Sequence, residues 1–135
     1  MINEVQIEHK SVLECTDLYI EKFSFECKER ILGKVLSKGM NKVDVTKDPQ
    51  EYTIRITTTV TTESAQQELM LVVIGKFKIN DDNMSEEQKD DLIKNNAVAI
   101  MYPFVRSQIV LLTSQPGMSP IILPPINVAD MMKNQ

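Results

Sequence analysis

Tryptophan is absent from this 135-residue chain, histidine occurs once and cysteine only twice. Two cysteines, Cys15 and Cys27, cannot build the disulfide framework that staples small secreted domains. Their even spacing would set them on one face of a regular strand but far apart along it, so they read as free thiols in a reducing compartment. The single histidine, His9, lies near the N-terminus. A hydrolytic or small-ligand site built from His9 and a cysteine is the one enzymatic alternative, and it lacks an evident orienting acid. There is no CxxC pair and no HExxH, which excludes the usual zinc patterns. Only four glycines are present and none cluster, which removes glycine-rich phosphate loops. Asp81 to Glu86 resembles the start of a calcium loop, but Glu86 stands where glycine is required and Leu92 where the bidentate glutamate belongs. No metal, no cofactor and no catalysis are expected.

A basic excess is also missing. Fifteen Lys and Arg against nineteen Asp and Glu leave a formal charge of −4, which speaks against nucleic-acid binding through counterion displacement. The longest unbroken apolar run, Leu69 to Gly75, falls far below the ~20 residues of a transmembrane helix, so no membrane insertion is expected. The first ten residues show no basic region followed by an apolar one, and a cytoplasmic location is the expectation. Hydrophobic residues at 42% and charged residues at 25% are ordinary globular usage. One domain over residues 1–135 is expected, with residues 1–12 as a loose N-terminal segment.

What is present is strand periodicity, then helix periodicity. Leu13, Cys15, Tyr19, Phe23 and Phe25 share one phase of a strand from Leu13 to Cys27, although Leu18 and Ile20 blur the alternation. Glu29 to Val35 fits a helical turn within a lysine-rich connection, and Met40 to Lys47 alternates on Val43 and Val45. Asp48-Pro49 marks a turn. In the next strand Tyr52, Ile54, Ile56, Thr58 and Val60 point one way, and threonines with Arg55 point the other. Leu69, Leu71, Val73, Phe77 and Ile79 form the core phase of the fourth strand. Its other phase carries Met70, Val72 and Ile74, so both faces of its centre are apolar and a partner subunit or ligand should cover the second.

Ser85-Glu86-Glu87-Gln88 is a capping-box sequence, and apolar residues recur at helical spacing from Gln88 to about Thr113. Pro103 should kink or interrupt that helix. Gln115-Pro116-Gly117 ends it, the proline-rich segment Met118 to Ile126 is extended, and Asn127 caps a short helix from Val128. Eight methionines add adaptable apolar surface. An apolar second sheet face, the proline-rich segment and Met131-Met132 together suggest a protein that binds apolar or extended polypeptide.

The run from Ala99 to Asn127, AIMYPFVRSQIVLLTSQPGMSPIILPPIN, resembles the signature region of the SecB export chaperones. Tyr102-Pro103-Phe104-Val105-Arg106, Gly117, Pro120, Leu123, Pro125, Ile126 and Asn127 carry the match. Leu18-Tyr19 with Phe23-Ser24-Phe25-Glu26, and Gly75 with Phe77 and Ile79, are similar to earlier strands of that family. The resemblance implies an α+β subunit: a four-stranded antiparallel sheet packed with one long Pro-interrupted helix and a short C-terminal helix. It implies a homo-oligomer, a dimer of dimers, with interface residues Met70, Val72, Ile74, Ile100, Phe104 and Ile109. It implies ATP-independent holding of unfolded polypeptide in apolar grooves, here at Val43, Val45, Met118, Ile121, Ile122, Leu123, Val128, Met131 and Met132. Many weak apolar contacts grip a client while it is unfolded and let go once it folds. Glu26 keeps one acidic position used to dock the SecA motor ATPase. Lys22 and the apolar run Leu69 to Val72 depart from the acidic pattern and speak against SecA docking. A dedicated adaptor for one partner, such as an antitoxin or phage protein, is the alternative.

Overall fold

The alternation of β-branched and hydroxyl residues in TIRITTTVTT produces the most regular element of the protein. In a computed structural model, which describes residues 12–30, 36–62 and 66–133, this is strand β3 of a series: β1 (Leu13–Cys27), β2 (Ser37–Lys47), β3 (Tyr52–Thr62) and β4 (Gln67–Ile79). Tyr52, Ile54, Ile56, Thr58 and Val60 are all buried, as the alternation requires. The four strands form one antiparallel sheet in the order β1-β4-β3-β2, so consecutive β1 and β2 lie at opposite edges. The β2–β3 turn is closed by Asp48, whose Oδ1 accepts from the amides of Gln50 and Glu51 at 2.8 and 2.7 Å. His9, the N-terminal segment and the turn proposed up to Val35 fall outside the described residues, apart from Val12, Glu29 and Arg30.

Strand β1 departs from simple alternation. Its register against β4 shifts between Cys15 and Asp17 and again between Ile20 and Lys22, leaving Thr16 and Glu21 without a cross-strand partner. Each extra residue reverses the side-chain phase. Leu18 and Ile20 therefore pack on the core with Leu13, Phe23 and Phe25, whereas Tyr19 is 39% exposed on the opposite face and Cys15 is exposed. This corrects the single-phase reading of Leu13, Cys15, Tyr19, Phe23 and Phe25. The two residues that blurred the pattern were its signal.

The helical half follows its caps. Ser85 accepts from the Gln88 amide at 3.1 Å and Gln88 accepts from the Ser85 amide at 3.0 Å, an arrangement worth about 1 kcal/mol at the N-cap. Helix α1 (Glu86–Leu92) passes through a π-helical turn (Ile93–Ala97) into α2 (Val98–Thr113). The helix runs through Pro103 without a break, and the irregularity lies earlier, in the π turn. Pro103 sits on the exposed side, where water can satisfy the carbonyl that its missing N–H leaves unpaired. A short helix α3 (Val128–Lys133) closes the chain.

The stretch Glu86–Thr113 spans 28 residues and is long and apolar enough, by length and composition, to cross a membrane. Counting only unbroken apolar runs missed it, because scattered polar residues interrupt the run without lowering the helix's overall apolarity. In the fold that apolarity serves the core. Ile93, Ala97, Val98, Met101, Val105 and Ile109 are fully buried in one cluster with Ile54, Ile56, Leu71, Val73 and Phe77 of the sheet. Each such large side chain contributes about 1.5–3 kcal/mol by leaving water. Helix and sheet come close at Gly75: a Cβ there would lie 2.6 Å from the Met101 sulfur and 2.8 Å from the Phe77 ring.

The other sheet face is covered partly by the chain itself. Val72 and Ile74 are 7% and 2% exposed within one protomer. Tyr19 and Arg55 flank Ile74 on either side, and Arg55 reaches across β4 to the bulge residue Glu21 at 3.2 Å. The expected cover by a partner subunit or a ligand is thus supplied in part by the chain itself: Arg55 of β3 and Glu21 of β1 pair across the centre of β4, and Met70 alone of the three is left half-exposed.

Candidate functional site

After Thr113 the chain turns at Gly117, whose φ of 78° suits glycine, and Arg30 Nε donates to the Gly117 carbonyl at 3.0 Å. Residues 119–126 then return along α2 as an extended strap. Three side chains of α2 hold it. Thr113 Oγ1 accepts from the Ile121 amide at 2.8 Å while donating to the Ile109 carbonyl at 2.6 Å. Arg106 Nε donates to the Leu123 carbonyl at 3.1 Å, and the Tyr102 hydroxyl donates to the Pro124 carbonyl at 3.4 Å. Positions 102, 106 and 113 share one helix face, so strap and helix run antiparallel.

The strap alternates as an extended chain does. Ile121 and Leu123 turn inward at 9% and 7% exposure and Ile122 turns outward at 74%. Leu123 packs above Gly39 of β2, where a Cβ would stand 3.5 Å from its Cδ2. The expected groove residues thus divide. Val43, Ile121, Leu123 and Met131 belong to the buried core, Met118, Val128 and Met132 are half-buried, and Val45 and Ile122 are exposed. Val43 and Val45 lie on β2, Met118 stands just before the strap, and the others lie on the strap or α3. Ile122 and Leu123 close a cleft of about 240 Å³ with Pro103, Arg106, Ser107 and Val110.

The expected interface residues divide as well. Ile109 lies inside the core, Val72 and Ile74 are buried as described, and Met70 and Phe104 are half-buried. Ile100 is 46% exposed, and Leu111, not anticipated from the sequence, is 64% exposed. Ile100, Phe104, Ser107 and Leu111 follow the 4-3-4 spacing of one helical stripe, so exposed Ile100 and Leu111 share a side of α2 with half-buried Phe104.

Glu26 lies on the outer sheet face directly opposite Glu68 in the β1–β4 register. Both line an open cleft of about 580 Å³ with Ser24, Thr59, Thr61 and Met70. Among the described residues no group of three His, Cys, Asp or Glu side chains is placed to hold a metal ion. Cys15 and Cys27 are free and exposed, and partial burial raises the Cys15 thiol pKa, which disfavours the reactive thiolate.

Burial raises the pKa of Tyr102 above the ordinary phenol value, opposed by the nearby Arg106 charge and a hydrogen bond with Asn41. The sign of the effect on stability follows. Below about pH 10 the phenol is neutral in both states; above it the unfolded chain loses the proton more readily, so stability falls as pH rises through the folded value. Tyr102→Phe is expected to start slightly less stable at pH 8, having lost the bond to Pro124, yet to decline less between pH 9 and 11. Urea midpoints across that range check it, since Cys15 and the other titrating groups contribute alike to both proteins.

Tyr102, Arg106 and Thr113 entered the sequence reading only as motif or boundary positions. Their signal was the 102-106-113 spacing ahead of a segment rich in proline, which cannot satisfy its own backbone. The comparisons bear on the whole arrangement. The family model described as preprotein translocase subunit SecB matches residues 6–135. The chain is 38% identical over 66 residues to an uncharacterized protein of Methanocaldococcus jannaschii, covering 49% of this chain and 41% of that one. It is 32% identical over 83 residues to the protein-export protein SecB of Dechloromonas aromatica, covering 59% and 53%. It thus spans about half the length of these curated relatives. The fold is similar, with a TM-score of 0.70 at 15% identity over 84% of this chain and 87% of the other, to a SecB-like chaperone of Mycobacterium tuberculosis solved in complex with a ChAD peptide from an antitoxin.

Proposed function

Because this chain belongs to the SecB family, we propose that it is an ATP-independent chaperone that holds non-native polypeptide on apolar surface and serves protein export. The observation that carries this is the outward Ile122 at 74% exposure, which lines the cleft on α2 in a stretch of chain whose Met118, Val128 and Met132 are half-buried. One bare side chain of that size is ordinary, but this one borders a cleft with Pro103, Val110 and Leu123 in its lining, as a binding surface does. Methionine suits the role because its flexible thioether adapts to unlike partners. The reading places the work in the cytoplasm and assigns no catalytic group.

Exposed Ile100 and Leu111, with half-buried Phe104 between them, support self-association through α2, with a dimer of dimers as the expected assembly. Client and subunit surfaces then adjoin along the same helix, with Ser107 at the border of both. Glu26, facing Glu68, is the proposed docking point for a basic partner; Lys22, Lys76 and Lys78 on that face disfavour the fully acidic patch that SecA docking uses. A narrower reading, an adaptor dedicated to one partner, draws support from the antitoxin peptide held by the M. tuberculosis SecB-like chaperone.

The test is light scattering of an apolar client diluted from denaturant, without nucleotide. The protein in excess is expected to suppress aggregation, and Ile122→Glu to lose about tenfold in apparent affinity, equivalent to ~1.4 kcal/mol. An unchanged aggregation curve with the wild-type protein in excess would end the holdase reading. Binding of one unfolded chain among many non-binders would favour the adaptor.

A further inference from the structure

We infer that α1 is a releasable latch, and that its release passes through the π-helical turn to loosen α3. This rests on the holdase reading and adds a control on part of the surface that reading uses. Helix α1 buries no side chain. Two polar contacts from the β2–β3 hairpin hold it to the sheet: the Lys47 ammonium pairs with the Glu86 carboxylate, and the Tyr52 hydroxyl donates to Asp90 Oδ1 at 3.3 Å. Both partners of the ion pair have a second place to go. Glu86 also meets Lys89 of its own helix at 3.8 Å, and the Lys47 ammonium lies 5.3 Å from the centre of the Tyr52 ring. Release leaves neither charge alone, and both side chains of the pair are already largely in water, so the latch opens at little cost.

The π turn decides which side of α1 meets the sheet. Its ring closes from i to i+5, so it holds one residue more than an α turn and rotates the preceding helix by about 100°. Counting back from buried Val98, an unbroken α-helix would face Lys94, Asp91 and Glu87 to the sheet. The observed face is Ile93, Asp90 and Glu86 instead: Ile93 is fully buried, and the two acids reach Tyr52 and Lys47. The same turn is the seat of α3. That helix packs chiefly on Ile93–Ala97, and its Met131 is buried in the core cluster that contains Ile93 and Ala97. One turn thus joins a helix that buries nothing to a helix that carries candidate client contacts. When α1 lets go, the turn loses what orients it, and Met131 joins half-buried Val128 and Met132 as apolar surface open to a client.

Hydrogen exchange on the full chain tests the latch without any client. Lys47→Ala combined with Tyr52→Phe removes both contacts and keeps the buried ring. Lys42→Ala, the loss of an exposed charge on the same strand, is the control. Amides of α1 and of α3 are expected to exchange about tenfold faster in the double variant while those of α2 hold, and neither helix should respond to Lys42→Ala. Wild-type protein in about 1 M salt, where the screening length falls to about 3 Å, should loosen the same two segments. Affinity for an unfolded client, read by fluorescence anisotropy, is expected to rise about threefold in the double variant, because the open state is the one that binds. Unchanged exchange in α3 would overturn the inference, as would an α3 that loosens with no gain in affinity for a client that the wild-type protein binds. If neither protein binds a client, the holdase reading falls and the control on it with it, whereas joint loosening of α1 and α3 would still show the coupling through the π turn.

Discussion

Gly75→Val is expected to prevent native packing of the helix on the sheet. The position is held from both sides, with Leu18 of β1 and Ile54 of β3 paired to it. A single added Cβ already meets the Met101 sulfur at 2.6 Å and the Phe77 ring at 2.8 Å. Met101 can bend, because its far end is flexible, but Phe77 is fully buried and has nowhere to go. Overpacking of this kind costs about 1–3 kcal/mol for a methyl group and more for a branched side chain, against a total stability of about 5–15 kcal/mol. Gly75→Ala is therefore expected to fold with a lowered urea midpoint, and Gly75→Val to accumulate as insoluble protein. The cause is checked by a double-mutant cycle. Met101→Ala alone should cost about 2–5 kcal/mol by leaving a cavity, and the added methyl of Gly75→Ala should partly fill it. The pair is then less destabilised than the sum; strict additivity would show that the clash is not with Met101.

Ile100→Glu combined with Leu111→Glu is expected to leave the fold intact and abolish the self-association proposed through α2. Both side chains are substantially exposed in the protomer, at 46% and 64%, and neither is needed by the core. In a subunit interface each new carboxylate would lose water without gaining a cation, a cost of several kcal/mol per charge. The subunit dissociation constant should rise more than a hundredfold, and sedimentation should show a smaller species with unchanged circular dichroism. The same pair of changes leaves Ile122 and the strap untouched. If the variant keeps the wild-type mass, α2 does not form the interface, and exposed Ile100 and Leu111 become part of the client surface.

Much of this was legible beforehand because helix and strand periods are local. β3 needed only the alternation of Ile and Thr. Ser85 through Gln88 announced their capping box, and the resemblance from Ala99 to Asn127 pointed to the family that the comparisons support. Strand β1 was harder, since two bulges reverse its phase and a bulge has no fixed sequence sign. Val72 and Ile74 were read as needing a partner because their cover, Arg55 and Glu21, comes from two other strands. For the same reason the apolar residues named for the groove between Met118 and Met132 are divided residue by residue between core and surface.

Amino-acid order alone settles which segments become strands or helices, since that depends on neighbours a few positions away. It does not settle which greasy side chains end up bare. Ile121, Ile122 and Leu123 are nearly the same in character, yet the middle one faces water and its neighbours do not. That choice is made by Thr113, Arg106 and Tyr102, up to twenty-two residues away along the chain, because exposure is set by whatever packs across from a residue, and only the assembled fold brings those groups together.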